Sequence, residues 1–385
     1  MIPRFAESTI RQLAKGFPIT AITGPRQSGK STLAQTAFPK KRYLSFEDLE
    51  LRRFATEDPK GFLGTLPDGA ILDEAQRCPD LFSYLQHRAD QERRMGLFVL
   101  TGSQQFGLLS KISESLAGRV GLVQLLPFSL GELLMAKIPA GSLDATLWSG
   151  FYPPLYDRPL TPPQWYANYV RTYIERDVRQ LAQIRDLGLF QRFIKMCAAR
   201  TGQLLNLSDL GNDCGISHVT ARHWLTVLEA SYIVFLLRPH HRNFGKRLVK
   251  QPKLYFYDTG LAAHLLQIQN PEHLSIHPSR GALFETFVAA EFLKRRFNQG
   301  LDSNIHFWRD NVGDEVDLLV ENAGHLTPVE VKSGQTLNAD SFKTLIKWQK
   351  IAKSQSGKLH LIYGGDETRI QSGIHIASWR TIPNI

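Results

Sequence analysis

"GPRQSGKST", residues 24–32, decides how the N-terminal part of this chain folds. The apolar run "FPITAI" before it reads as a strand, and "LAQTAF" after it reads as a helix. Gly24, Gly29, Lys30 and Ser31 satisfy the spacing G-x-x-x-x-G-K-[ST] in full. Glycines at those points let the backbone curl so that successive N–H groups face one centre, which suits phosphate oxygens. The stretch Gly24, Pro25, Arg26, Gln27, Ser28, Gly29, Lys30, Ser31 and Thr32 is therefore the expected binding loop for ATP. Lys30 would reach the β and γ phosphates, and the Ser31 hydroxyl would bind Mg²⁺. The helix that follows aims its positive end at the anion. A plain glycine-rich turn is the alternative, and the strand–loop–helix context disfavours it.

Working outward, "GAILDEAQ" at 69–76 reads as a short apolar strand ending in two acids. Asp73 would hold Mg²⁺ through water, and Glu74 would act as the general base on an attacking water. A single acid suffices for a metal, so the second points to hydrolysis. "GLFVLTGSQ" at 96–104 reads as another buried strand, ending in Ser103 and Gln104. Ser103 is placed to sit between Glu74 and the terminal phosphate. The alternation of strands and helices through this region predicts a βαβ array with a parallel sheet and its ligand at the carboxyl ends of the strands. In "SLAGRVGLVQLL" a helix ends near Gly118 and Arg119 follows. Arg119 reads either as a finger reaching a neighbouring subunit's γ-phosphate or as a surface arginine in a local salt bridge.

Residues 151–163, "FYPPLYDRPLTPP", read as a boundary loop, and a long helix follows in which Arg176 is either a phosphate sensor or part of a solvated face. From 190 to 250 the pattern is helix, short helix, turn, helix, hairpin, with Ser208 and Ser217 as expected N-caps. That order is the winged-helix pattern. Its hairpin carries Arg238, Arg242, Lys246, Arg247, Lys250 and Lys253, with no acid between 238 and 253 and Phe244 at the tip. With Arg222 on the preceding helix, Arg242, Phe244, Lys246, Arg247 and Lys250 are the expected contacts to DNA. A protein-binding element with a solubilising wing is the alternative. The net charge of +10, from 46 basic and 36 acidic residues, suits a polyanionic partner without deciding the matter.

The last part contains an amphipathic helix with Glu285, a strand "IHFWRD", a turn, and a hairpin "VDLLVENAGHLTPVEVKSG". Side chains alternate along a strand, so Glu330 and Lys332 share a face, and Asp317 on the partner strand can meet them. With Glu285 arriving from the helix, three carboxylates and a lysine converge. Asp317 followed by Glu330-Val331-Lys332 is the PD-(D/E)xK pattern, in which the acids bind Mg²⁺ and Lys332 positions or deprotonates the attacking water. Such a domain either cuts a phosphodiester or serves as a binding platform.

Taken together, these segments resemble the AAA-type "ATP-binding protein" family of bacteria and archaea. The likeness rests on "GPRQSGKST", "AILDEAQ", "LTGSQ", "SLAGRV", "LLPFSLGE", "YPP", "YIERDV", "GALFETFV" and "GDEVDLLV…PVEVKSG". It implies an α/β architecture: a P-loop AAA+ parallel-sheet ATPase core over 1–135, a helical lid or linker over 136–190, a winged helix over 191–260 and an α/β PD-(D/E)xK nuclease-like domain over 261–385. The last segment is similar to Holliday-junction resolvases and restriction enzymes. The expectation is an ATP-hydrolysing protein that processes DNA, branched or single-stranded, and works as a homo-oligomer, a hexameric ring being one form. An ATP-gated switch or scaffold that binds DNA or protein is the alternative. Cys78, Cys197 and Cys214 form no CxxC pair, and neither a signal peptide nor a membrane-length apolar run is read in the chain, so the cytoplasm is the expected location.

Overall fold

A computed structural model of the chain describes residues 2–103, 112, 115–174, 186–240 and 249–384. The chain forms two compact units: one of residues 1–128, 230–232 and 294–302, and one of residues 129–229, 233–293 and 303–385.

The first unit is built on five parallel strands, β1 (Ile19–Thr23), β2 (Arg42–Ser45), β3 (Ala70–Asp73), β4 (Phe98–Gly102) and β5 (Val120–Gln124), in the order β2-β3-β4-β1-β5. The strand ending in Ser103 therefore lies between the loop-bearing strand and the strand of paired acids. β1, β3 and β4 are buried along their whole length, as strands covered on both faces must be, and they read as near-continuous apolar runs for that reason. β2 ends the sheet and leaves Arg42 and Tyr43 exposed. One face packs Ile22, Ile71, Val99 and Val123 against α1 (Ala6–Gly16) and α2 (Lys30–Ala37). The other packs Ala21, Leu72, Leu100 and Phe98 against α3 (Leu49–Glu57), α4 (Pro59–Gly64) and α5 (Leu81–Glu92). Both α3 and α4 begin where aspartates, Asp48 and Asp58, accept from the first free N–H groups.

The second unit contains α6 (Leu187–Ala199), β6 (Gln203–Leu204), α7 (Leu207–Cys214), α8 (His218–Ala230), β7 (Val234–Leu237) and β8 (Lys253–Phe256), the three strands forming an antiparallel sheet β6-β8-β7. Ser217 accepts from Thr220 N at 3.1 Å, as expected of an N-cap. Ser208 does not cap α7. Asn206 does, accepting from Ser208 N and Asp209 N, because Asn206 has the extended backbone a cap requires and Ser208 already lies in the first turn. Further on, α9 (Arg280–Asn298) precedes a six-stranded sheet of β9 (Ile305–Arg309), β10 (Glu315–Asn322), β11 (His325–Lys332), β12 (Leu359–Tyr363), β13 (Arg369–Gln371) and β14 (Ile374–Ser378). Its order is β13-β14-β12-β11-β10-β9, with β9, β10 and β11 antiparallel and β11, β12 and β14 parallel. α10 (Lys343–Ala352) packs Trp348 edge-on against Trp308, ring centroids 5.2 Å apart. The end of β7 is joined to β9 by a bridge between Pro239 and Phe307 and by His240 N donating to Phe307 O at 2.8 Å. Among the described residues no helix is long and apolar enough to cross a membrane.

Candidate functional site

Each unit buries a cluster of the polar side chains expected to be functional. The first lies at the carboxyl ends of β1, β3 and β4. Gly24 leaves β1 with φ +149°, and a Cβ there would stand 2.1 Å from the backbone oxygen of Leu125, so no larger residue fits. Gln27 and Gly29 also have positive φ, 60° and 90°, and carry the loop round into α2. Arg4 braces the loop, its guanidinium donating to Ser28 O at 2.8 Å and Leu126 O at 2.6 Å.

Lys30, the first residue of α2, is buried and turns back to donate to Gly24 O at 3.1 Å and Pro25 O at 2.7 Å. Burial lowers its pKa to about 8, against the opposing pull of Glu74 and Asp73. Ser31 Oγ lies 2.9 and 3.0 Å from the two Asp73 oxygens. Asp73 also accepts from Tyr43 at 2.6 Å and from Thr101. The same burial and carboxylate push the Tyr43 hydroxyl up to about 12, so it remains a donor. Glu74 has φ 54°, ψ 42°, a conformation uncommon for a residue with a side chain. Its Oε2 accepts from Gln76 at 2.5 Å and Ser103 at 3.2 Å. Ser31, Asp73, Glu74 and Ser103 are thus joined around the loop, and Gln104 lies outside the described residues.

Arg119 is elsewhere. It precedes β5, whose first residue pairs with Ile19 at the start of β1, so it lies at the amino ends of the strands, whereas the loop leaves the carboxyl end of β1. Its guanidinium is clamped on Asp90 at 2.5 and 2.9 Å and on Ala117 O at 2.9 Å.

The second cluster lies where α9, β8, β10 and β11 meet. Lys332 donates to Glu330 Oε1 at 2.5 Å, and Val331 N donates to Asp317 Oδ2 at 2.8 Å, so the hairpin brings Asp317, Glu330 and Lys332 together. Glu285 joins them from α9. Glu315, two residues before Asp317, was read as part of a turn, yet it opens β10. Glu285, Glu315 and Asp317 each offer one oxygen within 4.8 Å of the others, the spacing of a cation cage. Burial raises the pKa of Glu330 to about 8 and of Glu285 to about 7, and the Asp317 charge adds to both. Burial raises Asp317 too, while Lys253 and Lys332 oppose it.

Lys253 overturns its expected place on an exposed basic wing. It opens β8, is 3% exposed, and donates to Glu285 Oε1 at 2.8 Å while pairing with Glu315. Tyr255, two residues on and therefore on the same face, donates to Glu285 Oε1 at 2.5 Å. Of the other wing residues, Lys250 is exposed, and Arg222 is exposed on α8 beside His218 at 3.4 Å. Arg242, Phe244, Lys246 and Arg247, like Arg176, lie outside the described residues.

Three family models match the chain. One described as an AAA domain covers residues 16–134, and two domains of unknown function, DUF8612 and DUF4143, cover residues 141–272 and 280–382. The uncharacterized protein Rv2008c of Mycobacterium tuberculosis is 31% identical over 338 residues, which span 86% of this chain and 74% of that protein. Mb2031c of Mycobacterium bovis matches to the same extent. The chain belongs to the family of these two mycobacterial proteins. Among solved structures, the Walker-type ATPase PABY2304 of Pyrococcus abyssi is similar at 14% identity, with a TM-score of 0.46, over 68% of this chain and 94% of that one.

In this member of the family the AAA-type module contains the whole loop-and-acids arrangement of the first unit. Sequence reading missed Arg4, Tyr43, Thr101 and Gln76, which complete that site, and Lys253, Tyr255 and Glu315, which complete the second. Period-2 spacing carried a signal for the last three. Lys253 and Tyr255 alternate in "KLYF", and Glu315 and Asp317 alternate in "EVD".

Proposed function

We propose that this chain is an ATP-hydrolysing AAA-type protein that processes DNA, binding it and moving, unwinding or remodelling a branched or single-stranded form. The observation that carries the ATPase part is the joined set Ser31–Asp73 and Glu74–Ser103 beside the glycine loop. The donor set fits Mg²⁺–ATP. A curled loop closed to any Cβ at Gly24, an ammonium at Lys30 held only by neutral carbonyl oxygens, and a hydroxyl–carboxylate pair of oxygen donors suit phosphates and a hard cation. Bound there, Mg²⁺–ATP supplies the transferable phosphoryl group. Lys30, now on two carbonyl oxygens, would hold phosphate oxygens, and Ser31 and Asp73 would hold the metal. Glu74 would take the proton of the attacking water, with Ser103 holding its carboxylate in place. Arg119, remote from its own loop, serves a neighbouring copy in an oligomer.

DNA as the partner is supported by the second cluster. The hairpin brings Asp317 and Glu330 together, Lys332 donates to Glu330 Oε1, and Glu330 Oε2 is a buried carboxylate oxygen without a hydrogen-bond partner among the described residues. Those donors suit Mg²⁺, which would be held by Asp317 and Glu330 and would activate water against a phosphodiester. The winged-helix reading of α6 to β8 is supported by the element order and by the exposed Arg222 and Lys250. A second reading, an ATP-gated switch whose last domain only binds DNA or protein, is favoured by one observation: Glu285 and Glu315 already have cationic partners, Lys253 for both and Arg309 for Glu315.

The test is ATP turnover with single-stranded, duplex and four-way DNA, alongside Lys30→Ala, and Mg²⁺-dependent cutting by the native chain and Asp317→Asn. Stimulation of turnover by DNA, lost in Lys30→Ala, supports the processing reading. Turnover indifferent to every DNA form refutes it. Cutting that vanishes in Asp317→Asn assigns a nuclease, and no cutting leaves the domain as a platform.

A further inference from the structure

The carboxylate cluster of the second unit already contains a cation. Lys253 Nζ is 2.8 Å from Glu285 Oε1, is paired with Glu315 Oε1, and lies 5.6 Å from the ring centroid of Phe307. Glu285 and Glu315 are two of the three residues whose oxygens lie within 4.8 Å of one another, the third being Asp317. An ammonium bound to two of three candidate metal ligands stands where a divalent ion drawing on all three would stand. Two cations cannot share those oxygens at such spacing without strong repulsion in a site with little water.

The rest of the cluster is unevenly supplied. Glu330 Oε1 accepts from Lys332, but its Oε2, on a side chain 6% exposed, has no hydrogen-bond partner among the described residues. One side of the cluster is therefore saturated by a lysine, and the other presents an orphaned carboxylate oxygen next to Asp317. Lys253 is not a loose arm. Its backbone is paired with Leu237 on β7 and Leu204 on β6, and its side chain is 3% exposed with the ammonium over the Phe307 ring. Tyr255 on the same strand face holds Glu285 Oε1 in place for it.

We propose that Lys253 is a tethered competitor for divalent metal in this cluster: its ammonium withholds Glu285 and Glu315 and thereby sets how tightly a metal binds at Asp317 and Glu330. The inference rests on the reading of the cluster as a metal site. Lys253 then sets how much of the acid cluster is open to a metal, because withdrawing one ammonium removes the cation that Glu285 and Glu315 share, leaving Glu285 with the Tyr255 hydroxyl and Glu315 with the Arg309 guanidinium at 2.9 Å.

Lys253→Met keeps the length and apolar stem and removes the charge. Mn²⁺ binding to the nucleotide-free, intact protein is measured by the loss of the free-ion electron paramagnetic resonance signal. Lys253→Met is expected to bind Mn²⁺ at least about tenfold tighter than the native chain, since a competing unit charge is gone. Asp317→Asn added to that variant should remove the gain. Equal Asp317-dependent affinity in the native chain and Lys253→Met overturns the competition and leaves the metal site standing. Binding insensitive to Asp317→Asn in both proteins overturns the metal site itself, and the competition with it. Should Lys253→Met not fold, the native protein gives a second measurement. Saturating Mn²⁺ should raise reductive methylation of Lys253, read by mass spectrometry of its peptide, and unchanged protection refutes the proposal.

Discussion

Glu330→Gln isolates the cost of the buried cluster. Glu330 is 4% exposed, and burial first, then the Asp317 charge, raises its pKa from 4.5 to about 8. Between those two values the folded chain holds a proton that the unfolded chain has released. The unfolded state then binds fewer protons, so stability falls as pH rises. The contribution is complete below pH 4.5 and is lost on passing about pH 8. At about 1.4 kcal/mol per unit the full shift has a ceiling of about 5 kcal/mol, and sharing of protons with Glu285 and Asp317 brings the Glu330 part to roughly 2–4 kcal/mol. Gln is nearly isosteric and cannot titrate. The assay is the denaturation midpoint of native protein and Glu330→Gln from pH 5 to pH 9 without divalent metal. Glu330→Gln should be close to native at pH 5 and should gain on it steadily towards pH 9. Some slope should survive below about pH 7, from Glu285. A difference between the two proteins that is the same at pH 5 and pH 9 refutes the reasoning, because Glu330 would then titrate as an exposed glutamate does.

Three further outcomes concern the first unit. Glu74→Gln should keep ATP binding and lower turnover about 10²-fold or more, measured by equilibrium binding against steady-state phosphate release, since only proton transfer is lost. Gly24→Ala should abolish nucleotide binding and cost about 3 kcal/mol or more in denaturant melts, because its methyl would meet the Leu125 carbonyl oxygen at 2.1 Å, where both partners are backbone. Tyr232→Phe should cost about 1–2 kcal/mol by the same melts, because the Tyr232 hydroxyl donates to Thr23 Oγ1 at 2.8 Å and its loss leaves a buried hydroxyl unpaired.

Local signals were legible in the sequence, and pairings made over a distance were not. The glycine loop, the paired acids after β3 and the hairpin of Asp317 and Glu330 are each written within a few residues, because turn chemistry and period-2 alternation act at that range. The expected position of Ser103 beside Glu74 agrees with the sheet order, in which β4 lies between β1 and β3. Tyr43 and Arg4 escaped notice because each reaches its partner through a fold already formed, Tyr43 from an edge strand and Arg4 from the first turns of the chain. Glu315 was hidden by its neighbours. "NVGDE" has the composition of a turn, and only the pairing of Glu315 with Arg309 shows that β10 has begun. Lys253 was misread for the opposite reason. A run of basic residues suggests a solvated wing, but its last member opens a strand buried along its whole length, and its carboxylate partner Glu285 comes from a helix 32 positions later.

Lys30 and Lys253 show what the partners of a buried lysine decide. Both are nearly free of solvent. Burial opposes the charge of each, yet Lys30 is lowered to about 8 while Lys253 is raised. Lys30 has two carbonyl oxygens as its direct partners, with the Asp73 and Glu74 carboxylates acting only from farther off. Lys253 touches Glu285 and Glu315 and feels Asp317, and these carboxylates outweigh the loss of water. Consequently an arriving phosphate gives Lys30 the direct counter-charge it lacks, which makes that ammonium a binding group in waiting. An anion offers Lys253 nothing it does not already have. Only a stronger cation, taking the same carboxylates, can change its state. The same residue type, equally buried, is thus left short of direct counter-charge in one unit and held by carboxylates in the other.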